Sequence, residues 1–375
     1  MSDNQETVTK PALHMAFKTD ILIIGAGQAG LSSAYHLQKL GLQAGKNFII
    51  LDKSPDAGGA WQYRWPTLTL STVNRIHDLP GMSFSDVLEP EVSEVKASIA
   101  VPRYYAAYEK KFHLPVYRPV SVNVVCERNE RFRIETDRET FTARGLINAT
   151  GTWETPVIPH YTGAELFKGQ QLHTRDYQTA EAFTGKHVVI VGGGISALQL
   201  LDEISQVTTT TWVTRSEPQF RETPFTEEDG RAAVAIVEDR VRRGLIPGSV
   251  VSVTGIPLTP ALRAARERGA LNRLPMFSEI TETGIRWADG TEQHVDVILW
   301  CTGFRSSLDH LAPLQIRETN GGIIMGGRLA TEVVKDPRIH LVGYGPSAST
   351  IGANRAGAAA AKELSEYLEL NKQYA

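Results

Sequence analysis

One pattern occurs twice in this chain: residues 21–30 read ILIIGAGQAG and residues 188–197 read VVIVGGGISA. In each, an apolar tetrad of strand length runs into glycines and then into a helical sequence. Glycines at this spacing suit a dinucleotide turn. The first makes a tight bend, the second leaves backbone bare for a pyrophosphate, and the third lets helix pack closely on strand. The following helix points unpaired amides and its positive dipole end at the phosphates. Two such turns predict two nucleotide sites and two parallel sheets with helices on their faces.

The segments between the turns follow the same order in each half. After the first turn, Leu31, Ala34, Tyr35 and Leu37 lie at helical spacing before Gly41, and the strand NFIILDK closes on Asp52. A long irregular stretch from Pro55 to Pro102 follows, then a helix entered through Pro102 with Tyr104, Tyr105, Tyr108 and Phe112 as its apolar contacts. A hairpin turning at Thr136–Arg138 leads to a strand ending in Thr150-Gly151. The second half repeats this with the helix SALQLLDEISQV, the strand TTTTWVT, a hairpin turning at Asp289-Gly290, and a strand ending in Thr302-Gly303. The remainder runs through IHLVGYGP to an alanine-rich helix, Arg355 to Leu368. It is too short for a domain and is expected to return to the first one.

The fold class predicted is α/β, with two Rossmann-like dinucleotide-binding domains, the second inserted into the first. Their expected bounds are 19–153 with 305–375, and 154–304, after a loose tail over 1–18. A length of 375 residues exceeds what one core usually fills. The net charge of -3 offers no footprint for nucleic acid. Cys126 and Cys301 lie far apart without a CxxC pair, which points to a reducing compartment, gives no metal-ligand spacing, and leaves no dithiol to relay electrons. The N-terminal stretch is polar and lacks a signal-peptide pattern, and no apolar run is long enough to span a bilayer, so a cytoplasmic location without membrane partners is expected.

The two turns differ in what answers them. Asp52 stands at the tip of the strand after the first, where a carboxylate can accept ribose hydroxyls. After the second comes Arg215-Ser216, a cation and a hydroxyl suited to a 2'-phosphate, which predicts NADPH with NADH as the alternative. Within the irregular stretch, GGAW at Gly58–Trp61 brings bare backbone and an indole. The start of a helix near Thr350 either approaches a cofactor edge or makes a packing turn. The arginines Arg240, Arg242, Arg243, Arg263, Arg266 and Arg268 read as solvated helix faces.

With these features in order, FKGQQLHTRDY supplies Phe167, Gly169, His173 and Tyr177, matching the pattern F-x-G-x-x-x-H-x-x-x-(Y/F) just ahead of the second glycine turn. The chain from Thr19 to Leu370 resembles the flavin-containing monooxygenases, most closely their short bacterial members. The resemblance implies FAD at the first turn, held by Gly25, Gly27, Ala29, Gly30, Asp52, Lys53, Gly59, Trp61, Val125, Gly151 and Thr350. It implies NADP at the second, held by Gly192, Gly194, Ser196, Arg215, Ser216, Thr302 and Gly303.

The chemistry implied is oxygenation by O2, through a C4a-hydroperoxyflavin, of a small soft nucleophile such as a thioether sulfur or an amine. His173 is implied as a structural or gating linker residue. Tyr177, where Baeyer–Villiger relatives usually carry tryptophan, tilts the reading toward heteroatom oxygenation. Many members place an asparagine after the GGxW region. That offset lands here on Ser71, the one catalytic candidate, with Asn74 out of step. The alternatives are a Baeyer–Villiger monooxygenase on ketones and a non-catalytic FAD- and NADPH-binding redox sensor. Oligomeric state is open between monomer and homodimer.

Overall fold

The computed structural model describes residues 17–73, 76–87, 95–222, 226–248 and 254–370. Ile21–Ile24, Phe48–Leu51 and Gly145–Asn148 are buried at every position, the pattern of strands covered on both faces. They form the middle of a seven-stranded sheet in the order Met325–Gly326, Glu332–Val333, Asp336–Leu341, Gly145–Asn148, Ile21–Ile24, Phe48–Leu51, Val116–Tyr117. The last five run parallel and the first two form an antiparallel edge.

The chain leaves this sheet after Asn148 and builds a second between 170 and 300. Its parallel order is Arg273–Pro275, Thr210–Thr214, Val188–Val191, Val297–Trp300, Gln170–His173. The outer strand Gln170–His173 is not readable from sequence as a strand. Three of its four residues are not buried, because it lies at an edge and takes its conformation from pairing with Val297–Trp300. The final segment does return to the first sheet. Asp336–Leu341 pairs with Gly145–Asn148, and the helix Thr350–Tyr367, starting five residues before Arg355, packs on the helix Gln28–Lys39.

The two hairpins fall where expected. Arg131–Thr136 pairs antiparallel with Thr140–Ala143, and Gly284–Arg286 with Glu292–His294 across a turn where Gly290 has φ +87°. The helix expected to enter at Pro102 instead begins at Ala97, with Pro102 as its sixth residue. A proline there forfeits one backbone hydrogen bond, to the carbonyl of Ser98. Its ring is used elsewhere: a Cβ built on Gly58 would lie 2.7 Å from Pro102 Cγ, so the ring packs flush against the GGAW turn.

The tyrosines of this helix are wholly buried, and their hydroxyls pin the irregular segment. Tyr104 donates to Met82 O at 2.5 Å and accepts from Leu79 N at 2.8 Å, while Tyr108 donates to Pro80 O at 2.8 Å. No described helix is long and apolar enough to cross a membrane.

Candidate functional site

The strand Ile21–Ile24 ends at Gly25, whose φ of +102° makes the bend. A Cβ on Gly30 would lie 1.9 Å from Gly25 O, so helix and turn touch there. At Gly27, by contrast, a Cβ would meet nothing within 4 Å. Gly27 caps the helix Gln28–Lys39 without any side-chain hydrogen bond, leaving the first-turn amides open to an outside acceptor. The second turn repeats this. Gly192 has φ +140°, Gly194 caps the helix Ile195–Ile204 with no side-chain cap, and a Cβ on Gly194 would also meet nothing within 4 Å.

A cavity of about 600 Å³ opens at the first turn, within the range of cofactor sites. Of the residues read from sequence, Gly25, Gly27, Ala29, Asp52, Lys53, Gly59, Trp61, Gly151 and Thr350 line it. Asp52 is buried and held in place: Oδ2 accepts from Ala26 N at 2.6 Å and Oδ1 from Ser54 N at 2.9 Å. Each oxygen retains a lone pair for a ribose hydroxyl. Lys53 pairs with Glu154 at 2.6 Å on the rim. Thr350 Oγ1 accepts from His77 N at 3.2 Å, joining the C-terminal helix to the irregular segment at the cavity wall.

Gly30 packs against the turn and does not line the cavity, and two other expected residues lie elsewhere. Val125 is fully buried in the core under the first sheet, and its strand, Val122–Arg128, reaches the cavity through Val122 and Asn123. Ser71 is exposed, does not line the cavity, and shares a 2.7 Å hydrogen bond with Thr69 Oγ1. Asn74 lies outside the described residues.

Near the second turn, Arg215 and Ser216 are exposed at the end of Thr210–Thr214, and no described carboxylate pairs with Arg215. Ser196 is half-buried in the first turn of its helix. Thr302 donates its hydroxyl to Val157 O. Gly303 O accepts from Val157 N at 2.9 Å and from the ring of His173 at 3.0 Å.

His173 uses both ring nitrogens within the backbone that joins the sheets. Nδ1 accepts from Arg175 N at 3.1 Å, so Nε2 carries the proton donated to Gly303 O, and burial holds the imidazole below its ordinary pKa. Phe304 meets it edge-on at 4.8 Å. Both ring nitrogens of His173 are thus engaged by backbone groups. Phe167 packs on the core of the second sheet, and a Cβ on Gly169 would lie 2.4 Å from Asp296 O. Tyr177 is buried, stacks on Phe183, and donates to Glu203 at 2.8 Å, away from the cavity.

Several cavity residues escaped the sequence reading. Arg64 lies between the rings of Trp61 and Trp153, at 5.5 and 5.0 Å, with Nε unpartnered, and burial lowers its pKa. Trp153 also stacks on Tyr63 and Phe304, giving an aromatic wall from the first glycine turn to the linker. His310 is hydrogen-bonded to Asn148 Oδ1 at 2.7 Å, and burial pushes its pKa down to about 4. Gln28 accepts from Tyr105 at 2.6 Å and donates to Asn354 at 2.8 Å. The RW step after GGAW was a usable signal for Arg64. His310 and Gln28 had none, since their partners are distant in sequence.

Comparison with known proteins finds relatives of this fold. The model of the pyridine nucleotide-disulphide oxidoreductase family matches residues 22–233. A flavin-containing monooxygenase of known structure from Stenotrophomonas maltophilia is similar at a TM-score of 0.78 and 34% identity, over 94% of this chain and 99% of that one. An uncharacterized oxidoreductase, CzcO, of Bacillus subtilis (strain 168) is 28% identical over 81% of this chain and 87% of its own length. Senecionine N-oxygenase of Tyria jacobaeae is 25% identical over 76% of this chain and 58% of its own. The chain belongs to the pyridine nucleotide-disulphide oxidoreductase family and, within it, to the flavin-containing monooxygenases: it is an oxidoreductase that uses FAD and NADPH.

Proposed function

We propose that this enzyme transfers one oxygen atom from O2 to a small soft nucleophile, a thioether sulfur or an amine nitrogen. FAD is assigned to the part formed by 19–153 and 305–375, and NADPH to the inserted part, 154–304. The observation that carries this reading is the pair of uncapped helix starts at Gly27 and Gly194, each with open space where a side chain would stand. Bound FAD supplies hydride acceptance from NADPH and activation of O2.

The protein's part is to grip and orient. Amides after Gly27 hold one pyrophosphate and Asp52 its ribose, while amides after Gly194 hold the other, with Arg215 and Ser216 free for a 2'-phosphate. The stacked rings of Tyr63, Trp153 and Phe304 supply an apolar part of the cavity lining. A dithiol relay has no support here. Neither cysteine lines the cavity, and burial pushes the Cys301 thiol up to about 12. The heteroatom preference rests on the Tyr177 position and on an N-oxygenase among the relatives.

The test is product analysis with NADPH and isotopic O2. Methyl phenyl sulfide should yield sulfoxide carrying one labelled oxygen, and cyclohexanone should yield little lactone. Lactone as the main product would favour the Baeyer–Villiger alternative. Absence of product from both, with no NADPH turnover, would favour the sensor.

A further inference from the structure

At the edge of the first sheet farthest from Val116–Tyr117, three chemistry-bearing side chains meet that the monooxygenase site does not use. Glu332 lies on the short strand Glu332–Val333 and is paired in register with His340 on Asp336–Leu341. Glu363 reaches them from the helix Thr350–Tyr367. One ligand atom from each of the three lies within 4.8 Å of the others.

Their hydrogen bonding is incomplete. His340 is 0% exposed and its Nε2 has no partner, and Glu363 Oε2 is likewise buried and unpartnered. Leaving such groups unpaired is costly unless something else binds them. The outward-facing bonds are already made: His340 Nδ1 lies 3.1 Å from Thr331 Oγ1, and Glu363 Oε1 accepts from Arg328 N at 3.0 Å. With its proton on Nδ1 toward Thr331, the imidazole turns the Nε2 lone pair to the carboxylates, as outer-shell partners of a metal-bound histidine do.

The backbone at Gly327 lies close against the cluster, where only glycine fits. A Cβ on Gly327 would lie 2.3 Å from Glu363 Oε2 and 3.3 Å from Glu332 Cβ. Both glutamates are half-buried, which leaves a path from solvent, and no described lysine or arginine forms an ion pair with either.

We propose that Glu332, His340 and Glu363 form a binding site for a divalent transition ion, Zn2+ foremost, which ties the antiparallel edge of the first sheet to the C-terminal helix. One imidazole nitrogen with two carboxylates suits Zn2+, Co2+ or Mn2+, with water completing the shell, whereas Mg2+ and Ca2+ favour oxygen ligands alone. Bonds of about 2.0–2.2 Å would draw the three atoms together by small side-chain movements. Cysteine spacing gave no hint of a metal, because these ligands come from separate segments and include no cysteine.

Glu363 stands 13 residues beyond Thr350, so at about 1.5 Å per residue it lies roughly 20 Å along the helix from the cavity wall. The ion is therefore structural: it stabilises the fold around the cofactor cavity and takes no part in the oxygenation.

The experiment uses the full-length, FAD-loaded protein, stripped with EDTA and dialysed free of chelator. Titration with Zn2+ followed by calorimetry should show one saturable site per chain, and added Zn2+ should raise Tm. Glu363→Gln, which keeps the side chain's shape, should weaken that site by about tenfold or more and abolish the Tm response. His340→Gln should do the same. Because His340 is wholly buried and its replacement risks misfolding, FAD content and circular dichroism are checked first, and Glu363→Gln decides alone if His340→Gln fails. Saturable Co2+ binding competed by Zn2+ would support the site. Equal Zn2+ affinity in the parent and in Glu363→Gln, or no saturable binding to the parent, would overturn it, leaving the two carboxylates and Nε2 to share a proton instead.

Discussion

Gly27 and Gly194 have extended backbones, φ -82° and -100°, that alanine adopts without strain, and neither would bring a Cβ against protein. Alanine at either position should leave the fold intact and fill only the space reserved for a pyrophosphate. Gly27→Ala is expected to keep its Tm without cofactor while losing most of its FAD, measured by absorbance per protein. Gly194→Ala should stay yellow and show a raised KM for NADPH. Reversal of the two phenotypes would invert the assignment of nucleotides. Arg215, exposed beside Ser216, discriminates coenzymes in this reading. Arg215→Ala should raise KM for NADPH by a factor reflecting about 1.5–3 kcal/mol of charge-assisted hydrogen bonding and leave NADH use nearly unchanged. Equal losses with both would make Arg215 structural.

The pairing of the helices Gln28–Lys39 and Thr350–Tyr367 sets the shape of the cavity, because both begin at its wall. They approach closely through small residues: Ala353, Ala356, Gly357, Ala360 and Ala361 are buried, and a Cβ on Gly357 would lie 2.9 Å from both Ser33 N and Ser32 Oγ. Gly357→Val gains a few tenths of a kcal/mol in helix propensity but must force the helices apart, which costs about 1–3 kcal/mol. A lower midpoint in urea together with reduced FAD retention is the expected result; an unchanged midpoint would show that the pair can separate freely. The hydrogen bond from Gln28 to Asn354 and that from Ser32 Oγ to Asn354 O, 3.2 Å, lie in the same seam. Alanine richness made this helix legible in sequence, but its partner was not, since the two lie near opposite ends of the chain.

At the scale of the whole molecule, acid is expected to lower stability. His310 sits between the cavity and Asn148, with its pKa lowered to about 4 by burial, an effect that nearby Asp309 opposes. In the unfolded chain it titrates near about 6.5. Between those values the unfolded state binds more protons, so the contribution of His310 to stability is complete above about pH 6.5 and is lost as pH falls toward 4. Melting midpoints should drop from about pH 7 to about pH 5, and drop less in His310→Gln; parallel pH profiles would remove His310 as the cause.

The glycine turns, the buried tetrads, the hairpins and Asp52 were readable because each is a local pattern, in which neighbours in sequence make the contacts that define it. Within the cavity, most first-turn residues were legible for the same reason. Ser71 and Val125 fell outside because family offsets carry a residue to a position but not to a side-chain direction. The edge strand Gln170–His173, the start of a helix ahead of Pro102, Arg64 between two tryptophans, and the Glu332, His340, Glu363 cluster were set by packing between distant segments. Their energies belong to pairs that chain order does not record, so only the folded arrangement brings them into being.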